Sequence, residues 1–474
     1  MDEKCAALKA VLGSDKVLYP GSEAYNSTLT SYFSPQVSAV HPQCFVTPKS
    51  VHDVSAVVEA MRVTKGEFAV RGGGHQWFPG AASDESVVVD MRGLNSVQLD
   101  QDNSSVTVGA GATWDAVYDA LHPLGLSAAG GRVAGVGVGG LTTGGGISYF
   151  GPREGWTCDQ VISFEVVLAD GSVVRASKDT NSDLWLGLRG GANNLGIVTS
   201  FNLKTFEQGL LWSSLTLNPL TAVDQQAKVY AKLCAAENYD ENASFLFGWS
   251  FNSAQNLSVA LNQLVYTKPN GNETPAFYQP VIDLPSIPYP AAGATVANMS
   301  TLARLGVSLQ PSQVNRYLST TITFVPTEAM IRATFDAYNA SLPSVRDIAG
   351  IRWNVNLEAL PRQLYSRHAN DNALGLADRK ESLAVCLLSP AWTDAVDDER
   401  VYAAARALMD DINRRAKDLG AYDPYIYMNY AAPWQDVISS YGQASVSQLQ
   451  KVRTRVDPHQ VFTKQVRGGF KIPQ

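Results

Sequence analysis

The chain has 474 residues, long enough for two or three domains, and an ordinary globular composition of 45% hydrophobic and 17% charged residues. A formal charge of -7 supplies no basic field for a phosphate backbone or an anionic bilayer, and no apolar run reaches the length of a membrane span. Nucleic acid and membrane are thereby excluded as partners, and a monomer is expected because no heptad or exposed apolar stripe asks for a second copy.

At the N-terminus MDEKCAALKAVLG is too charged for an intact secretory signal, which taken literally points to the cytosol. Seven Asn-x-Ser/Thr sequons, at Asn26, Asn103, Asn242, Asn256, Asn272, Asn298 and Asn339, favour export instead. Cys5 and Cys44 flank the first segment and are candidates for a disulfide, whereas Cys158, Cys234 and Cys386 lie in apolar surroundings and read as buried thiols. On balance a secreted, disulfide-bonded glycoprotein is expected.

Within residues 1–207 strands and helices alternate. SVHDVSAVVEAMRVT reads as a helix begun at a serine, EFAVRG as a strand running into glycines, and SVVVDMRGL as a further strand. SSVTVGAGA precedes TWDAVYDALHPLG, a helix with threonine at its start and Pro and Gly at its end. A glycine-rich stretch over 130–146 follows, outside any strand-turn-helix unit, and then VISFEVVLADGSVVRAS, a hairpin turning at Asp170 and Gly171. Residues 208–424 carry strands with one polar and one apolar face, LLWSSLTL, ASFLFGWSF, NLSVALNQLVY, TTITF and GIRWNVNLEAL, mixed with helices such as ERVYAAARALMDDINRRAKDLG. Such strands suit an antiparallel sheet open to water or a cavity on one side. Residues 425–474 are too few for a core of their own and are expected to return to the first domain.

Two glycine clusters carry the chemistry. Arg71, Gly72, Gly73, Gly74 and His75 follow a strand, where backbone amides approach an anion without Cβ atoms in the way, and a pyrophosphate suits such a place. Taken alone, a tight turn with a packed histidine explains the loop equally well. The second cluster, 135–146, lacks the Gly-Lys-Ser/Thr of a P-loop and the strand-helix setting of a dinucleotide fingerprint, so a different phosphate-binding architecture is implied.

RGGGH, GRVAGVGVGGLTTGGGISYF, DQVISFEVVLADGSVVRAS, DLWLGLRGGANNLGIVTSF and YMNYAAPW occur in this order, and together they resemble the berberine-bridge-enzyme-like branch of the vanillyl-alcohol-oxidase flavoproteins, fungal members above all. The resemblance implies an α+β fold. A two-part PCMH-type FAD-binding domain, formed by the first and last segments, would accompany a substrate domain whose large antiparallel sheet is covered by helices. It implies that His75 bonds the flavin 8α carbon and that Arg71, the glycines 72–74, Gln76 and Gly80 line the cofactor. Gly135, Gly139, Gly140, Thr143, Gly145 and Gly146 belong to the second loop, Gly196 and Val198 lie alongside the adenine, and Asn429 reaches the flavin from the C-terminal segment. The family's second attachment point is a cysteine, and Val133 stands there; valine cannot form a thioether, so a single histidyl link is expected. Val136 matches the position where oxygen-reactive members carry valine.

A flavin oxidation that also releases a proton needs a base. The resemblance nominates Tyr430, Tyr427 and Tyr149, and a tyrosine with its ordinary pKa near 10 serves only beside a cation or a donor. Period two puts Arg352, Asn354, Asn356 and Glu358 on one strand face, making Glu358 a candidate carboxylate and Arg352 the candidate cation. A solvated outer face accounts for the same pattern. His41, His52, His122, His368 and His459 show no metal-ligand spacing, and no metal is expected. The function expected is an FAD-dependent oxidase that takes hydride from a small organic substrate, a secondary metabolite above an oligosaccharide, and passes the electrons to O2 as H2O2. An oxidative or redox-neutral cyclase and a non-catalytic flavin-fold binding protein are the alternatives.

Overall fold

The strand Val87–Asp90, three valines and an aspartate, is an inner strand, paired in parallel with Cys44–Val46 on one side and Phe68–Arg71 on the other. A strand covered on both faces needs such a continuous apolar run, and all four of its residues are buried. Val17–Leu18 completes this four-stranded sheet. The helix Val51–Thr64 starts at Ser50, whose hydroxyl accepts from the Asp53 amide while the Asp53 carboxylate accepts from the Ser50 amide, a reciprocal cap. Cys5, in the helix Glu3–Leu12, is disulfide-bonded to Cys44, and Cys158, Cys234 and Cys386 are buried thiols, all as the sequence predicts. The molecule is a computed structural model that describes residues 3–80, 82–290, 292–308, 315–466 and 468–474.

A second sheet runs in the order Val97–Leu99, Ser105–Gly109, Ile197–Lys204, Val161–Val167, Val173–Ser177, antiparallel throughout. Its predicted hairpin turns at Asp170, whose carboxylate accepts from the Ser172 amide, and at Gly171 with φ 85°. Thr113 does precede the helix Trp114–Leu121, but its side chain makes no capping bond; the backbone bridge from Thr113 to Gly137 sets the entry instead. The glycine-rich stretch also departs from expectation, for it contains a short helix, Val138–Thr143. Glycine costs about 1 kcal/mol per residue in a helix, so this turn depends on tertiary contacts: Val138 donates to the Ala112 carbonyl and Trp114 to the Val136 carbonyl.

The third sheet is the large antiparallel one expected, in the order Gly293–Ala297, Leu211–Asn218, Leu257–Tyr266, Ala243–Asn252, Arg352–Leu360, Leu383–Leu388, Thr320–Phe324, Tyr422–Asp423. The helices Val223–Cys234, Glu328–Ser341 and Asp398–Asp418 cover one face, over a core that includes Phe247, Trp249, Trp353, Val355 and Leu357. Gln263, Leu246 and Glu358 lie directly opposite one another on three neighbouring strands and so share the other face. That face meets the glycine-rich stretch. Residues beyond 424 bond back to the first 207: Ile147 donates to the Tyr427 oxygen, Asn429 to the Leu141 carbonyl, and Asn194 to the Phe470 carbonyl.

Candidate functional site

The two glycine clusters meet backbone to backbone. A Cβ on Gly73 would stand 2.5 Å from the Gly137 nitrogen and 2.7 Å from its Cα, so neither position accepts a larger residue without parting the loops. Gly135 and Gly140 face open space, and the helix Val138–Thr143 has no side-chain cap at Gly137. Val138 spends its amide on the Ala112 carbonyl, and the amides of Gly139 and Gly140 are left for a ligand or water. Gly74, Gly80, Gly135, Gly145, Gly146 and Gly196 all have positive φ, and at Gly146 an added Cβ would press within 2.5 Å of Thr157. A backbone surface lacking Cβ atoms, with unspent amides, fits an extended dinucleotide.

His75 follows directly. Its imidazole stacks on Phe33, centroids 4.0 Å apart and planes 17° apart, and burial pushes its pKa down to about 4. A neutral imidazole with a free lone pair is the form that can be alkylated. Gln76 is exposed, and a Cβ on Gly80 would lie 2.6 Å from its amide nitrogen. Arg71 is different from what its motif implies. Its guanidinium donates to the Thr28 carbonyl at 2.9 Å and to the Ser31 carbonyl and hydroxyl at 3.0 and 2.9 Å, lies 3.8 Å from Asp90, and sits over the Tyr32 ring at 3.7 Å. With these groups engaged, Arg71 braces the loop from behind.

The centre of the site is Arg132. One terminal nitrogen donates to Glu358 Oε1 at 2.7 Å, the other to the Tyr430 oxygen at 2.6 Å, and the guanidinium lies 5.6 Å from the centroid of the Tyr149 ring. The ion pair is shielded, with side-chain exposures of 15% for Arg132 and 2% for Glu358. Glu358 Oε2 is buried and has no hydrogen-bond partner. Gln263, two strands from Glu358 in the same row, donates to the Tyr149 oxygen at 2.9 Å. Burial pushes the Tyr430 phenol well up, with Arg132 pulling the other way, and it raises Tyr149 as well.

Sequence reasoning brought Tyr430, Tyr149 and Glu358 forward, and they converge here. It assigned the cation to Arg352, which is wrong: Arg352 is opposite Asn252, six residues along the strand from Glu358 and about 20 Å away at the rise of a strand. Arg132 was missed, although it is the only charged residue between positions 130 and 146 and precedes Val133. Gln263 was missed because nothing local distinguishes it from any polar strand residue. Tyr427 is near, at 4.9 Å from the Tyr430 ring, but its oxygen accepts from the Ile147 amide and from Asn429, and burial raises its pKa to about 12. It anchors the C-terminal segment, together with Asn429, to the glycine stretch. Tyr425 packs between Trp156 and Tyr441, outside the cluster.

The remaining positions are backbone features. Val133 closes a turn to Val136 and packs against Gly306, Thr143 returns its hydroxyl to the Gly139 carbonyl, and Val198 pairs with Val166 next to Gly196, where a Cβ would come within 2.5 Å of the Val166 side chain. Among the described residues no group of three or more His, Cys, Asp or Glu is arranged to hold a metal, and no helix is long and apolar enough to cross a membrane.

Comparisons with known proteins agree with this construction. Residues 42–177 match the FAD binding domain model. The chain is 40% identical over 479 aligned positions to oligopeptidase PhomG' of Diaporthe leptostromiformis, covering 98% of this chain but 37% of that protein. It is 33% identical to FAD-dependent monooxygenase CTB5 of Cercospora beticola, over 99% of this chain and 92% of the relative. Glucooligosaccharide oxidase from Acremonium strictum, studied for its 6-S-cysteinyl, 8α-N1-histidyl FAD, superposes with a TM-score of 0.79 at 21% identity, over 99% of both chains, and so shares the fold. With near full-length fungal relatives such as CTB5, the chain belongs to their family of FAD-dependent oxidoreductases, and it shares the fold of the berberine-bridge-enzyme-like proteins.

Proposed function

We propose that the protein is an oxidase that carries FAD on His75 through a single covalent link, removes hydride from a C–H bond of a small secondary metabolite and delivers the electrons to O2 as H2O2. The observation that carries the reading is the half-buried Arg132, joined to the buried Glu358 and to Tyr430 beside the glycine cradle. Bound FAD supplies the two-electron acceptor. The Tyr430 oxygen accepts from Arg132, which leaves its own hydrogen to donate to a substrate oxygen or nitrogen. Glu358 Oε2, buried and unpartnered, takes the substrate proton, while Arg132 holds Oε1 in place. Tyr149, oriented by Gln263, bounds the substrate space.

Val133 supports one link rather than two, and the absence of the cysteinyl link named for the glucooligosaccharide oxidase favours a secondary metabolite over an oligosaccharide. Val136, which matches the position where oxygen-reactive members of the resembled family carry valine, supports O2 as the acceptor. Residues 1–207 with 425–474 form the FAD domain in this reading, residues 208–424 form the substrate domain, and the protein works as a monomer. The Cys5–Cys44 disulfide and the exposed sequon asparagines Asn26, Asn103, Asn256, Asn272 and Asn339 support secretion.

Relatives named monooxygenases favour a second reading, insertion of oxygen into the substrate. The test is turnover of a panel of phenols, alcohols and amines under 18O2, with peroxide and product mass followed together. Stoichiometric peroxide with unlabelled product supports the oxidase; labelled product without peroxide overturns it in favour of oxygen insertion.

A further inference from the structure

The segment 33–36 is bonded along the loop that carries His75. Phe33 donates its amide to the Gly74 carbonyl at 3.0 Å, and Ser34 donates its hydroxyl to the Trp77 carbonyl at 2.7 Å. Gln36 donates to the Tyr317 carbonyl at 2.6 Å. These bonds bracket His75 on both sides. They also fix the Phe33 ring, which lies flat on the imidazole at 4.0 Å and contacts the Tyr317 ring at 4.4 Å on the substrate-domain side. Behind the loop, Arg71 donates to Thr28 and Ser31, and its guanidinium lies so close to Gly74 that an added Cβ there would stand 2.7 Å from Arg71 Nε. An imidazole on a glycine-rich loop has two free torsions, and among the described residues Phe33 is the ring stacked on it.

We propose that Phe33 is a positioning residue for flavin attachment: its ring sets the plane of the His75 imidazole so that one ring nitrogen points at the flavin 8α carbon. The inference rests on the reading of His75 as the attachment point. In the attachment step the imidazole N–H bond and one C–H bond of the 8α methyl break and one N–C bond forms. The two electrons and two protons released reduce the isoalloxazine ring system, and O2 then accepts them to give H2O2. Burial keeps the imidazole neutral, so its nitrogen lone pair is available, and the stack on Phe33 restricts the direction in which it points. Misplacing a reacting atom by about 1 Å costs roughly 100-fold in rate, which is the scale on which loss of the stack would be felt.

The test is the rate at which flavin-free protein fixes added FAD, read as colour in the acid-precipitated pellet, alongside FAD bound before precipitation. Phe33→Leu keeps the apolar volume and the contact toward Tyr317 but removes the flat face; Phe33→Tyr restores that face. Phe33→Leu should bind FAD like the parent yet attach it on the order of 10- to 100-fold more slowly, with Phe33→Tyr near the parent rate. Attachment by Phe33→Leu at the parent rate overturns the proposal. If the parent itself binds FAD and yields no coloured pellet, the His75 reading fails and takes this one with it, a failure visible before any substitution at Phe33.

Discussion

Arg132 donates to Tyr430 at 2.6 Å and to Glu358 at 2.7 Å, so a residue of the glycine-rich stretch ties a tyrosine from the C-terminal segment to a carboxylate on the central sheet. Three parts of the chain far apart in sequence meet in one guanidinium. Planar, with fixed donor directions, it serves both partners at once, which a lysine cannot do.

Arg132→Lys should therefore retain the charge but lower kcat by about 10²–10⁴, the range for a misplaced acid-base group, with FAD content unchanged. Arg132→Met should in addition lose stability by about 3–5 kcal/mol, because Glu358 is left buried without its partner. Steady-state turnover and urea midpoints separate the two effects.

Glu358→Gln and Tyr430→Phe distinguish the proton acceptor from the donor that holds substrate. Glu358→Gln should lower kcat by about 10²–10⁴. Tyr430→Phe should chiefly raise KM, by a factor consistent with one lost hydrogen bond of about 1 kcal/mol. The reverse pattern would move the base to Tyr430.

Gly73→Ala should cost flavin binding. The new methyl would meet the Gly137 backbone at 2.5 Å, and backbone cannot swing aside as a side chain can. Purified Gly73→Ala should show a flavin-to-protein absorbance ratio well below the parent's, with the disulfide-bonded first sheet still folded by circular dichroism.

In the flavin-free protein burial pushes the His75 pKa down to about 4 from an ordinary 6.5. Between these values the unfolded chain binds a proton that the folded chain refuses, so stability rises with pH from 4 to 6.5 and is lost as pH falls through that window. Denaturant midpoints across pH 4–7 should show this slope, and His75→Gln should flatten part of it. FAD attachment should slow as pH falls through about 4, where the folded imidazole takes up its proton.

Removing the Cys5–Cys44 crosslink with a Cys5→Ser, Cys44→Ser pair should lower stability by about 2–5 kcal/mol, by releasing a loop of sequence separation 39 in the unfolded chain. Differential scanning calorimetry of parent and variant checks it.

Elements whose signals are local are legible in the sequence. The helix begun at Ser50, the hairpin at Asp170 and Gly171, the buried run at Val87–Asp90 and the long strands of the large sheet each follow from periodicity, caps or turn residues within a few positions. The glycine helix Val138–Thr143 was not legible, because glycine opposes helix and the contacts to Ala112 and Trp114 that hold it are made across the fold. Arg71 shows the same limit in reverse, since a motif fixes where a side chain starts and tertiary neighbours decide where it ends.

Sequence alone thus determined the cofactor class and the disulfide, both written in short runs or single residues. The tertiary structure decided the cation. Period two put Arg352 on the same strand face as Glu358, and sharing a face over six residues leaves two side chains about 20 Å apart. Arg132, 226 positions away in the chain, arrives within 2.7 Å because the glycine stretch packs under the open face of the sheet. A charge so buried is stable only where its partners converge, and that convergence is a property of the folded chain.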